Sequence, residues 1–212
     1  MVVFMSKDLR KQKGNKTKEL IILSVLEILF KEGQTALTTR RLAEKAGVSK
    51  GNIYHHFKNM DMILEEAFKF SVEESYSKIL KIKYNNLSEL IENIVLNTID
   101  IIEDQSKSKC TSSNTTGHDI FLEVVSSNKK LLSFLETVNL RMRKWIAESI
   151  NKQINKKISD ELETYVLDII MIFLSGMRTD LFLMNKNIDS YKKSWKILSK
   201  HLVERILEEM NE

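Results

Sequence analysis

The chain has 212 residues, no proline, six glycines and a single cysteine. That is enough for one large domain or two small ones; it favours helices and excludes an intramolecular disulfide framework. The net charge of +4 is unevenly spread: residues 1–60 carry 12 Lys/Arg against 5 Asp/Glu, a balance of +7, while the other 152 carry 21 against 24, a balance of −3. A basic quarter on a mildly acidic remainder reads either as a polyanion-binding module on a larger body or as a solvated, lysine-rich face.

The longest apolar run, IIMIFL at 169–174, is far too short to span a bilayer, and the N-terminus lacks an apolar core of signal-peptide length. A cytoplasmic protein with no membrane partner is expected. Residues 1–15 are basic and polar and read as a mobile arm.

From 17 to 32, Ile22, Val25, Leu26 and Leu29 recur at helical spacing, and Gly33 is a natural C-terminal cap. Thr38 caps a short second helix with Leu42, Ala43 and Ala46 on its inner side, and Gly47 ends it. Ser49 caps a third helix, in which Ile53 and Phe57 share one face. Asn59 caps a fourth, running to about 83, and a fifth covers 87–104. The polar stretch 103–117 reads as a loop, followed by a short helix near 118–127. Three longer helices complete the chain over about 128–156, 159–187 and 189–210, with Asn128, Ser159 and Asp189 or Ser190 as candidate caps. The expected fold class is all-α, a three-helix head on a bundle of about six helices.

The stretch LAEKAGVSKGNIYHHF at 42–57 satisfies the steric demands of a helix-turn-helix. Ala43 is small enough for the helix crossing, Gly47 accepts a positive φ, and Val48 plugs the core beneath the turn. Lys50, Gly51, Asn52, His55 and His56 are left outward on the second helix, the position that enters the DNA major groove in this motif. Lys50 suits a phosphate or a guanine edge, Asn52 can pair with adenine or accept from cytosine, and Gly51 allows close approach of the backbone. An ordinary helical hairpin with a glycine turn is the competing reading.

TTRRLAEKAGVSKGNIYHHFKNMDMILEEAF, with the preceding TKELIILSVLEILFKEG, resembles the DNA-binding domain of TetR-family transcriptional regulators over about residues 16–68. The resemblance implies a helix-turn-helix head over 16–60 and an effector-binding and dimerisation body over 61–212. It implies phosphate contacts from Thr38, Ser49, Lys50, Tyr54 and His56, with Arg40 near the DNA backbone. Asn52 and His55 would read bases, helped by the close approach at Gly51. Met60 stands where the family commonly has lysine, so Lys58 is the candidate substitute. Lys7, Arg10, Lys11 and Lys13 of the arm would add phosphate or minor-groove contacts.

The partners so implied are double-stranded operator DNA, a second copy joined through the last two helices, and a small-molecule effector. Tyr165, Ile169, Phe173, Trp195, Leu198, Leu202 and Ile206 form the apolar stripes expected at that dimer interface, unless they bury within their own chain. Phe121, Met142, Trp145, Phe173 and Met177 are the candidate pocket lining, although aromatics and Met at helical spacing also make plain core. Arg178 and Asp180 suit a charged ligand, a subunit neighbour or solvent. His118 and Asp119 lack a third ligand at metal spacing, and Cys110 lies beside lysines that favour thiolate. No cofactor or metal is expected. The function expected is a ligand-responsive regulator, most simply a repressor. A ligand-independent DNA-binding or architectural protein is the alternative; a helical-bundle enzyme lacks a paired nucleophile and base.

Overall fold

The computed structural model describes residues 2–107, 128–183 and 187–211; the side chains of 2–13, 30, 102, 104–107, 178 and 181–183 fall outside that description. Among the described residues there are eight α-helices and no strand. They are α1 (Val2–Glu32), α2 (Thr39–Ala46), α3 (Lys50–His56), α4 (Met60–Ile79), α5 (Leu87–Lys107), α6 (Lys129–Ile154), α7 (Asp160–Leu183) and α8 (Ile188–Asn211). A 3-10 turn over Gln34–Ala36 links α1 to α2.

The first helix starts well before the 17–32 segment, at Val2. Residues 2–16 are mostly good helix formers with no proline, so nothing in the backbone stops the helix there, and a basic composition alone does not unwind it. The region around 103–127, with Cys110, His118, Asp119 and Phe121, lies almost wholly outside the described residues.

The chain divides into two compact units. The first, the head, takes residues up to Val72 with 128–132, and the second, the body, takes 73–107 and 133 onward among the described residues. The division falls inside α4. In the head, Ile21, Val25 and Ile28 of α1, Leu42 and Ala46 of α2, Ile53 of α3, and Ile63 and Ala67 of α4 are all buried, and α2 packs on both α1 and α3. In the body, α5 packs chiefly on α8. Leu90, Ile91, Ile94, Ile170, Leu202 and Ile206 belong to its core cluster.

Local signals explain most helix starts. Asn59 Oδ1 accepts from the Met62 N–H (2.9 Å), Asn128 Oδ1 from Lys130 (3.0 Å) and Ser159 Oγ from Leu162 (3.2 Å). At α8 the cap is Asn187, whose Oδ1 accepts from the Asp189 N–H at 2.9 Å, and not Asp189 or Ser190. Trp195 is fully buried and donates its indole N–H to the Glu92 carbonyl of α5 at 3.0 Å. Trp195, Leu202 and Ile206 are therefore core of their own chain, although the spacing of their stripe also suited an interface between subunits.

Candidate nucleic-acid interface

The head holds α3 firmly while leaving its outer side bare. Thr38 Oγ1 accepts from the Arg41 N–H (3.1 Å) to start α2. At the other end Gly47 takes the left-handed conformation, φ 64° and ψ 32°. Its N–H bonds the Glu44 carbonyl (3.4 Å) and the Val48 N–H bonds the Ala43 carbonyl (3.1 Å). This paired termination needs a residue without a Cβ penalty at Gly47. Ser49 Oγ then accepts from the Asn52 N–H (3.1 Å) to start α3, whose Ile53 is fully buried, with Phe57 just beyond its end also buried.

Ion pairs brace α1 against α2. Arg41 grips Glu32 with two hydrogen bonds of 2.8 and 2.7 Å, holding that carboxyl below its ordinary range. Glu27 takes Lys31 (2.8 Å) and Lys45 (2.7 Å), and those bonds, Lys31's first, pull its pKa down to about 2. Against α4, Lys18 pairs with Glu66 at 2.7 Å and lies 5.5 Å from the Phe57 ring centroid.

The residues expected at the interface fall into three groups. Thr38, Ser49, Lys50, Gly51, Tyr54, His55 and Lys58 are exposed, and Asn52 and His56 are half-buried beside them. Lys50, Lys58 and the Asn52 side chain have no partner among the described residues. The Tyr54 hydroxyl is tied to Thr39 Oγ1 at 3.0 Å, a link between α2 and α3 that the adjacent threonines only hint at in sequence. The Thr38 and Ser49 hydroxyls accept bonds as caps and retain their O–H for an external acceptor. Arg40 stands apart, paired one turn along α2 with Glu44 at 2.9 Å.

Gly51 sits in exposed helix. A Cβ there would meet only Ser49 Oγ, at an ordinary 3.8 Å, so internal packing does not require glycine. The His55 and His56 rings stand edge to face, 5.3 Å between centroids. Burial lowers the His56 pKa, helped by the charges of His55 and Lys18. Met60 opens α4 half-buried.

Residues 22–67 match the family described as bacterial regulatory proteins, tetR family. This segment of the head is thus similar to the N-terminal region of tetR-family regulatory proteins. The segment is 46% identical over 48 residues to the class C tetracycline repressor protein of Escherichia coli, covering 23% of this chain and 22% of that one. It is 33% identical over 69 residues to YerO of Bacillus subtilis, an uncharacterized HTH-type transcriptional regulator, covering 32% and 24%. The chain thus spans about a quarter or less of the length of these curated relatives. Over nearly the whole fold it is similar to a transcriptional regulator from Rhodococcus sp. Rha1, with a TM-score of 0.68, 14% identity and coverage of 88% and 96%. The two relatives and the neighbour just described are named as a repressor and transcriptional regulators.

In the body, Met142, Trp145 and Phe173 pack half-buried on the core cluster, and Met177 lies within it. Phe121 is outside the described residues. Sequence reasoning missed the polar end of this region. Tyr191 stacks edge-on to Phe173 (6.3 Å) and donates to Asp180 at 2.6 Å, while Phe173 lies 4.8 Å from Trp195. Burial first, then the Asp180 carboxylate, pushes the Tyr191 pKa up to about 12. Asp180 and Tyr191 lie eleven residues apart across the helix connection, so no single-helix pattern joins them.

Among the described residues no helix is long and apolar enough to cross a membrane.

Proposed function

We propose that this protein is a DNA-binding transcriptional regulator, most simply a repressor, that grips a partly palindromic operator as a homodimer and is released by a small-molecule effector. The observation that carries this reading is the outer side of α3. Lys50, Gly51, Asn52, Tyr54 and His55 lie beside one another there, while Ile53 and Phe57 anchor the helix from within. In this reading Lys50, Ser49, Thr38, Tyr54 and His56 meet phosphates, Lys58 stands in for the lysine absent at Met60, and Asn52 and His55 reach base edges past Gly51. Arg40 contributes from the DNA backbone side if it releases Glu44.

Dimerisation is supported by large apolar side chains left exposed on the last two helices: Tyr165 (40%) and Ile172 (67%) on α7, Ile197 (75%) and Leu207 (46%) on α8. Two heads on one dimer match two half-sites about one helical turn apart. An effector would act where Met142, Trp145, Phe173 and Met177 adjoin the Tyr191–Asp180 pair. It must favour the released arrangement by differential affinity, since tight binding to both arrangements shifts nothing.

Binding to duplex DNA from the region upstream of its own gene tests the reading. Tyr54→Ala should weaken operator and random DNA alike. Asn52→Ala should mainly erase preference, by about 1–3 kcal/mol at the base it reads. Equal losses on both DNAs for both variants would remove the assigned roles.

A further inference from the structure

The inner face of α1 continues beyond the core that it helps to build. Ile21, Val25 and Ile28 on that face are fully buried in the head. One turn before Ile21 comes Lys18, which lies against Phe57 and Glu66. One turn earlier again comes Gly14, where an added Cβ would lie 3.8 Å from His56 Cε1, at the end of α3. At about 100° per residue, Lys7, Arg10 and Lys11 occupy register positions within about 60° of Gly14, and Lys13, Lys16 and Asp8 do not. A face that is apolar over 21–28 thus becomes basic where it passes the end of α3, and the helix is continuous through both parts.

By register, this face carries only positive charge in the two turns beyond Gly14. Lys7 to Gly14 spans about 10 Å of helix, along which one strand of B-DNA presents about three phosphates.

We infer that the N-terminal turns of α1 are a phosphate-binding rail, in which Lys7, Arg10 and Lys11 extend the DNA contact of α3 past His56 along the same backbone. This rests on the proposed DNA-binding function and narrows the arm's role. Three residues of one face act, and Lys13, though equally charged, does not. The contact is to phosphate and carries no base preference.

The test is the salt dependence of binding to upstream DNA and to a random duplex of the same length. The triple variant Lys7→Gln, Arg10→Gln, Lys11→Gln should lower the slope of log K against log salt by about 2 to 3 on both DNAs. Lys13→Gln with Lys16→Gln, which removes charge from the other faces, should leave the slope unchanged. Glutamine keeps helix propensity close to that of lysine, and a matching melting temperature for each variant confirms an intact head. An unchanged slope in the triple variant, or an equal drop in both variants, overturns the rail while leaving the α3 interface standing. Failure of the wild-type chain to bind either duplex in low salt overturns both.

Discussion

In the body, charged and polar side chains mostly hold other parts of the body. Arg143 binds Asp168 at 2.6 Å, Lys192 lies 3.3 Å from both Asp100 and Glu103, and Arg141 binds Glu73 at 2.6 Å with its guanidinium 4.8 Å from the Tyr76 ring centroid. In the head, the same kinds of side chain divide by helix. Between α1 and α2, Glu27, Lys45, Glu32 and Arg41 form a brace. On and just after α3, Lys50, Lys58 and the Asn52 amide hold nothing among the described residues. Exposed ion pairs contribute little to stability individually, so neither pattern is explained by energy alone. What sets α3 apart is concentration: within one short helix and its exit, Lys50, Lys58 and the Asn52 amide all lack a partner among the described residues.

The largest effects should come from breaking each region's anchor and observing which property fails. Ile53→Ala empties a fully buried site beneath α3 and should cost about 2–5 kcal/mol, with loss of DNA binding. Trp195→Ala removes the largest buried side chain of the body and the indole bond to Glu92, and should cost about 3–5 kcal/mol. If head and body are separate cores, denaturation of the tryptophan variant followed by head and body probes should show the body melting first. A single coincident transition in both variants would mean that the two units fold as one.

The head was far more legible in sequence than the body, for a physical reason. Thr38, Ser49 and Gly47 act within three or four residues of themselves, so cap, turn and recognition helix can be read locally. The placement of Ile53 and Phe57 inward follows from the same short spacing. Trp195 illustrates the opposite case: an apolar stripe declares that it will be buried, not whether by its own chain or by another. The Tyr191–Asp180 bond depends on how α7 and α8 meet, which no single-helix periodicity encodes. NKNIDS offers several suitable caps in succession, and only geometry singles out Asn187 among them.

A smaller effect should separate stability from binding within the head itself. Glycine inside a helix costs roughly 0.5–1 kcal/mol relative to alanine, and nothing inside the head requires it at position 51. Gly51→Ala should therefore raise the thermal stability of the head by up to about 1 kcal/mol. It should at the same time weaken DNA binding, because a methyl would stand where the backbone approaches the groove. The comparison loses its basis if the variant gains stability and binds DNA as tightly as before, since α3 would then not be shaped from outside.

The smallest expected effect is also the one whose sign is most informative. Burial, then the charges of His55 and Lys18, holds the His56 pKa below its ordinary value in the free head. The folded head therefore binds fewer protons than the unfolded chain. Its share of stability is fully present above about pH 6.5 and is lost as pH falls through the lowered folded value. A phosphate beside the ring would act in the opposite direction, raising the pKa and coupling DNA binding to proton uptake. DNA affinity should therefore rise between pH 8 and 6 while the stability of the free head falls over the acid end of that range. Titration of wild type and His56→Gln under both readouts checks this, and in the variant both slopes should flatten. Parallel loss of affinity and stability on acidification would show that His56 serves the fold alone, placing the DNA backbone elsewhere on the head.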